Sequence, residues 1–246
     1  LFKNILIPIS SEFYSKKVLE RGVFLSKKFA STINLVYIIE KKTFDHTDRL
    51  VDSYRTVAEK EETKKELIST QKQVADTIVF KDAKKLYEEN SVKIEEKIVN
   101  GEFSDVIKQE LLQKKYDLII MGFEKECSLN YRLLEEVDIP IWIVGEGDSK
   151  KILAVCTNLA PNKKVPEVSM SLAEKLEWDM YTLYIVDLED NVQVDENGKR
   201  SGKKTEGELL DLGKQFLERF KDKKIKTRLV KGSLEKETIK IAEEIN

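Results

Sequence analysis

Histidine is almost missing from this sequence: His46 is the only one in 246 residues. Catalytic triads, histidine metal clusters and histidine acid–base relays have almost nothing to be built from. Cysteine is nearly as scarce. Cys127 and Cys156 show no metal-ligand spacing and form no disulfide framework, so a reducing cytoplasm is the expected location. No run approaches the ~20 apolar residues needed to cross a bilayer, and no signal peptide is visible, so no membrane insertion is expected. An excess of one charge is also lacking, with 43 basic against 45 acidic residues and a formal net charge of −2. A protein that wraps nucleic acid usually shows a basic excess, so no nucleic-acid partner is expected.

What remains is 41% hydrophobic and 36% charged, a composition for globular units with heavily charged helix faces. The run Ile5-Leu6-Ile7-Pro8-Ile9 is short and continuous, as a strand buried on both faces of a parallel sheet requires. Ser10-Ser11 then offers a cap for a helix carrying Val18, Gly22, Leu25 and Phe29 on one face. A second buried strand spans Ile33 to Ile39. Helical spacing runs from Glu62 to about Glu88, and the stretch from Lys41 to Glu61 reads as partly helical. Val92, Ile94 and Ile98 alternate with charges, which predicts a strand near a sheet edge. After Gly101 comes another amphipathic helix with Phe103, Val106, Ile107 and Leu111. Leu118–Met121 is a third buried strand, stopping at Gly122, and the run from Ile139 to Val144 closes the set. Strands alternating with helices predict an open parallel sheet.

After the polar stretch 145–149 the pattern restarts. Ile5 recurs as Ile152 and Tyr37 as Tyr184, both 147 residues on. Val99-Asn100-Gly101 recurs as Val230-Lys231-Gly232, 131 residues on. The spacing predicts an internal duplication, with domains at 1–146 and 150–246 and the second copy incomplete. If the sheet order is 3-2-1-4-5, that copy supplies only 3-2-1, which would leave an apolar edge at Ile152–Val155. We expect further chain, or another chain, to cover it.

The first copy resembles the universal stress protein family. Ile5-Leu6-Ile7-Pro8 matches its opening strand, Val99-Asn100-Gly101 its V-x-G, and Asp117-Leu118-Ile119-Ile120-Met121-Gly122 its D-L-I-V-M-G. The final strand begins with proline, as here in Pro140-Ile141-Trp142-Ile143-Val144. The resemblance implies a five-stranded parallel sheet of order 3-2-1-4-5 with helices on both faces, followed by the truncated second copy. It also implies a crevice where ATP or AMP would bind. Nucleotide-binding members carry G-x-x-G, nine residues, then G-[S/T] after the fourth strand. Here those positions are Gly122, Lys125, Glu135 and Glu136, and the aspartate expected after strand one is Ser10. The backbone near Val36 and Ile38 would line the same site. Two carboxylates ~4 Å from a triphosphate would each cost on the order of 1–4 kcal/mol. Millimolar binding is worth only about 4 kcal/mol.

The expectation is therefore a regulatory or interaction module without cofactor and without catalysis, the alternative being an ATP- or AMP-binding stress regulator with a divergent site. The family's closing strand commonly pairs with its counterpart, so Pro140, Ile141, Trp142, Ile143 and Val144 are the expected interface of a homodimer or of paired tandem domains. Gly198–Thr205 looks faintly like a phosphate loop, but it follows the turn sequence Asp195-Glu196-Asn197 and reads as a hairpin or loop.

Overall fold

The computed structural model describes residues 1–10, 15–40, 57–122, 137–145, 147, 149–221 and 225–245. The chain divides into two compact units, Leu1–Glu146 and Gly147–Asn246.

In the first unit, β1 (Asn4–Ser10), β2 (Thr32–Glu40), β3 (Ile94–Gly101), β4 (Leu118–Gly122) and β5 (Ile141–Val144) form one parallel sheet in the order β3-β2-β1-β4-β5. The helices are α1 (Lys16–Phe29), α2 (Val57–Val74), α3 (Lys81–Glu89) and α4 (Phe103–Gln113). A π-helical turn, Ala75–Phe80, joins α2 to α3. Continuous apolar strands take the middle of the sheet because both faces there are covered. Leu6, Val36, Ile38 and Ile119 meet Val106 and Ile107 of α4. On the opposite face, Ile7 and the fully buried Tyr87 of α3 both close on Gly22 of α1. The alternating strand β3 takes the edge, as its charges predict, with Lys114 paired to Glu95 at 2.6 Å and Lys97 to Glu110.

Two local expectations are corrected. Ser10-Ser11 does not cap α1: Ser10 continues β1, Ser15 occupies the cap position without a side-chain hydrogen bond, and Ser11 lies outside the described residues. Pairing of Ser10 with Ile38 holds it in the strand. The helix expected from Glu62 begins at Val57 and contains the π turn, with Ala75, Val79 and Phe80 buried there. Of the stretch 41–61, residues 41–56 lie outside the described residues.

The second unit has β6 (Lys151–Thr157), α5 (Lys164–Leu176), β7 (Asp179–Val186), α6 (Glu206–Glu218), β8 (Lys226–Lys231) and α7 (Leu234–Ile245). Its parallel sheet has the order β6-β7-β8. Tyr184 and Val186 pack toward α6, and Leu183 and Ile185 toward α7. The registers of the two units coincide. Asn4 pairs with Thr32 and Lys151 with Asp179, each residue 147 positions on. Asn34 pairs with Glu95 and Tyr181 with Lys226, at the offsets 147 and 131. Even the left-handed residues that end α1 and α5 correspond: Ala30 at φ 55° and Glu177 at φ 57°.

Within this shared frame the second core carries two misfits. Thr182, 1% exposed, and Thr238 hold buried hydroxyls without a hydrogen-bond partner among the described residues. The corresponding first-unit residues are the buried aliphatics Leu35 and Ile107. An unsatisfied buried hydroxyl costs about 1–3 kcal/mol. Thr182→Val and Thr238→Val are each expected to stabilise the second unit by about 1 kcal/mol, raising its Tm by roughly 4–8 °C. Thermal unfolding checks this, and a lowered Tm for both would refute it.

Candidate functional site

The crevice of the first unit begins with a proline. Thr32 N–H donates to the Lys3 carbonyl at 2.8 Å on the β2 side, and Asp117 N–H donates to the Asn4 carbonyl at 2.9 Å on the other. By alternation, the even positions of β1, Pro8 included, turn their backbone groups toward β4. Pro8 has no N–H to offer there. The β1–β4 ladder accordingly holds only Ile5 with Leu118 and Leu6 with Ile119, whereas β1 pairs with β2 along its whole length. Beyond Leu6 these two central strands share no registered pair, at the point where the strand order reverses.

Ser10 stands at the end of β1 and is 8% exposed. Its hydroxyl donates to the Glu40 carboxylate, itself only 8% exposed at the end of β2. Val36 and Ile38 are buried, and their side chains belong to the core beneath α4. Their contribution to the crevice is backbone alone, in register with Pro8 and Ser10. Gly122 ends β4, paired with Val144. The structure therefore brings Ser10, Ile38 and Glu40 together, while Lys125, Glu135 and Glu136 lie outside the described residues. Glu40 was missed by the sequence reading. Its signal was available: it falls 147 residues before Asp187, another buried acid at a strand end.

On the closing strand, the Pro140 carbonyl accepts from Ile119 N–H at 3.0 Å. β5 lies at the sheet edge, and no strand flanks its outer side among the described residues. Ile141, Trp142 and Ile143 are half-buried, whereas Val144 is buried. The Arg21 guanidinium lies 5.4 Å from the ring centres of both Trp142 and the exposed Phe24. Such a cation between two aromatic faces stiffens the surface beside the edge.

The loop that looked like a phosphate binder has spent its amides. Asp195 Oδ1 accepts from Asn197 and Lys199 N–H at 2.8 and 2.9 Å, Gly198 N–H goes to the Asp195 carbonyl, and Ser201 N–H to that of Gln193. Val194 bridges Arg200 in antiparallel fashion, so the stretch is a hairpin. Its last residue, Thr205, caps α6 in a reciprocal box with Glu208. The Thr205 backbone N–H holds the Glu208 carboxyl below the usual carboxylate range. Cys156 is buried, and desolvation pushes its thiol up to about 12, the opposite of an activated nucleophile. Cys127 and His46 lie outside the described residues. Among the described residues no cluster of acids, cysteines and histidines could hold a metal, and no helix is long and apolar enough to cross a membrane.

A parallel α/β sheet whose strand order reverses between two central strands defines a class of proteins whose ligands settle outside the strand carboxyl ends. The model of the universal stress protein family matches residues 1–141, and the chain belongs to that family. Solved structures agree in fold. A universal stress protein from Archaeoglobus fulgidus aligns over 93% of this chain and 77% of its own, at 12% identity and a TM-score of 0.51. A putative universal stress protein from Pseudomonas aeruginosa aligns over 94% and 75%, at 12% identity and a TM-score of 0.50. No match was found among curated protein sequences.

Proposed function

We propose that the chain is a cytoplasmic regulatory or interaction module that binds no ATP in its first unit, catalyses nothing, and assembles through the edge of β5. The observation that carries the reading is the Ser10–Glu40 contact. Where nucleotide-binding relatives offer an aspartate, this crevice offers a hydroxyl already committed to a buried carboxylate. The pair leaves little to read a base. Isothermal titration of the intact protein with ATP and with AMP tests this. No binding heat is expected, and micromolar binding of either would restore the nucleotide-regulator reading.

The two units repeat one frame, which supports an origin by duplication. For assembly, β5 ends the sheet with no further strand beside it among the described residues, at the half-buried Ile141 and Trp142. Antiparallel addition of the same strand from a second copy would extend the sheet there. Ile141→Lys and Trp142→Asp are expected to shift the protein from dimer to monomer in light scattering, with circular dichroism unchanged. A dimer that keeps its mass in both variants would rule out this edge.

A further inference from the structure

The edge strands of the two sheets are not alike. β3 and β8 carry charges held in ion pairs: Glu95 with Lys114 and Lys97 with Glu110 on the first, Lys231 with Glu206 and Arg228 with Glu244 on the second. Charged side chains of that kind keep an edge in water. β6 ends its sheet with no strand on its outer side among the described residues, and it has no such guard. Its one charged residue, Lys151, donates instead to the Ile245 carbonyl at the end of α7.

The repeated frame says what an edge of this kind is built to meet. In β1, Ile5, Leu6 and Pro8 are buried, and β4 pairs its Leu118 and Ile119 with Ile5 and Leu6. The corresponding Ile152, Leu153 and Val155 are only half-buried. Leu153 and Val155 pack on Leu183, Ile185 and Ile241, much as Leu6 packs on Val36 and Ile38, but Leu6 has Ile119 beside it as well. The backbone is prepared too. Asp179 N–H donates to the Lys150 carbonyl at 3.0 Å, so by alternation Lys151, Leu153 and Val155 turn their backbone groups outward. Where β1 has Pro8, β6 has Val155, which keeps its N–H. A strand added here can therefore run past the point at which the β1–β4 ladder stops.

We propose that the outer edge of β6 docks one extended, uncharged apolar segment of another protein, laid parallel to β6 as β4 is laid against β1. Main-chain hydrogen bonds to Leu153 and Val155 hold the segment. Its side chains are apolar on both faces, because Leu153 and Val155 line one face and Ile152 and Ala154 the other. A charged residue there would be buried without a partner. Every described strand of this chain already stands in one of its two sheets, and a second copy brings only the same placed strands. The inference goes beyond the pairing through β5 and stands whether or not copies pair there.

Hydrogen exchange on the full chain tests it, with a synthetic peptide of residues 114–122 as the probe. Without peptide, the Leu153 and Val155 amides should exchange faster than those of Leu183 and Ile185. Equal protection would mean that the edge is already covered, by a second copy or by the chain itself, and would overturn the proposal. Saturating peptide should slow Leu153 and Val155 on the order of tenfold or more and leave Arg228 on β8 unchanged. The same peptide with Ile120→Glu should protect neither. No protection by the first peptide, or equal protection by both, would overturn the proposal as well. Val155→Pro, a change that an edge strand tolerates, should weaken peptide binding roughly tenfold, and unchanged affinity would count against the edge. The wild-type exchange pattern decides the matter even where Val155→Pro fails to fold.

Discussion

Tyr87→Ala should destabilise the first unit by about 3–5 kcal/mol, the range for removing a large buried aromatic. The ring is fully buried, and its hydroxyl donates to the Leu19 carbonyl of α1 at 3.2 Å. It is the contact through which α3 is fitted to α1. Gly22 is what makes room for it: a Cβ there would lie 2.5 Å from the Tyr87 hydroxyl oxygen and 2.6 Å from Ile7 Cδ1. Alanine at position 22 would gain about 1 kcal/mol of helix propensity but provoke about 1–3 kcal/mol of overpacking. Because both neighbours are fully buried, overpacking wins. The two sites are therefore coupled, and Gly22→Ala should be less harmful in a Tyr87→Phe background, where the nearest atom is gone. Chemical denaturation of the four variants measures the coupling. Additive effects would show that the hydroxyl is not the obstacle.

In the second unit the same device recurs with different residues, and Gly213→Val should destabilise it by about 3 kcal/mol. A Cβ at Gly213 would approach Leu229 Cδ1 at 2.7 Å and Tyr184 Cδ1 at 2.8 Å. Here the obstruction is the body of an aromatic ring, buried and held by Phe216 at 5.2 Å between centres. It cannot swing aside as a chain end could, and valine adds two more carbons and a poor helix propensity. The effect is read as faster amide exchange in β7 and α6. Stability equal to wild type would mean that α6 can lift away from the sheet at little cost.

These two contacts also show how far sequence patterns reach. Tyr37 and Tyr184 were legible as corresponding residues, and both are buried. Their helix partners were not, because the helix before the third strand differs in length between the units. Tyr37 meets Phe80 at 6.4 Å, Tyr184 meets Phe216, and Gly213 has no first-unit counterpart at either offset. In the first unit, Val36, Ile38 and Gly122 lie on the strands expected to carry them, whereas Ser10, expected as a helix cap, continues β1. Glu40 recurs in the repeat as Asp187, but its hydrogen bond with Ser10 did not show, since a contact across 30 residues leaves no periodic trace.

By itself the sequence determined the strand set and the repeated frame, because each follows from local hydrophobic period and spacing; the order β3-β2-β1-β4-β5 came from the family resemblance of its motifs. Tertiary structure alone decided that Ser10 belongs to β1 and binds Glu40, that Pro8 ends the β1–β4 ladder, and that the buried Asn158 side chain bonds the backbone of Asp187 and Val192. Each of these depends on which backbone groups meet across the sheet, and that is settled only when distant segments pack and leave their polar groups to be satisfied by one another.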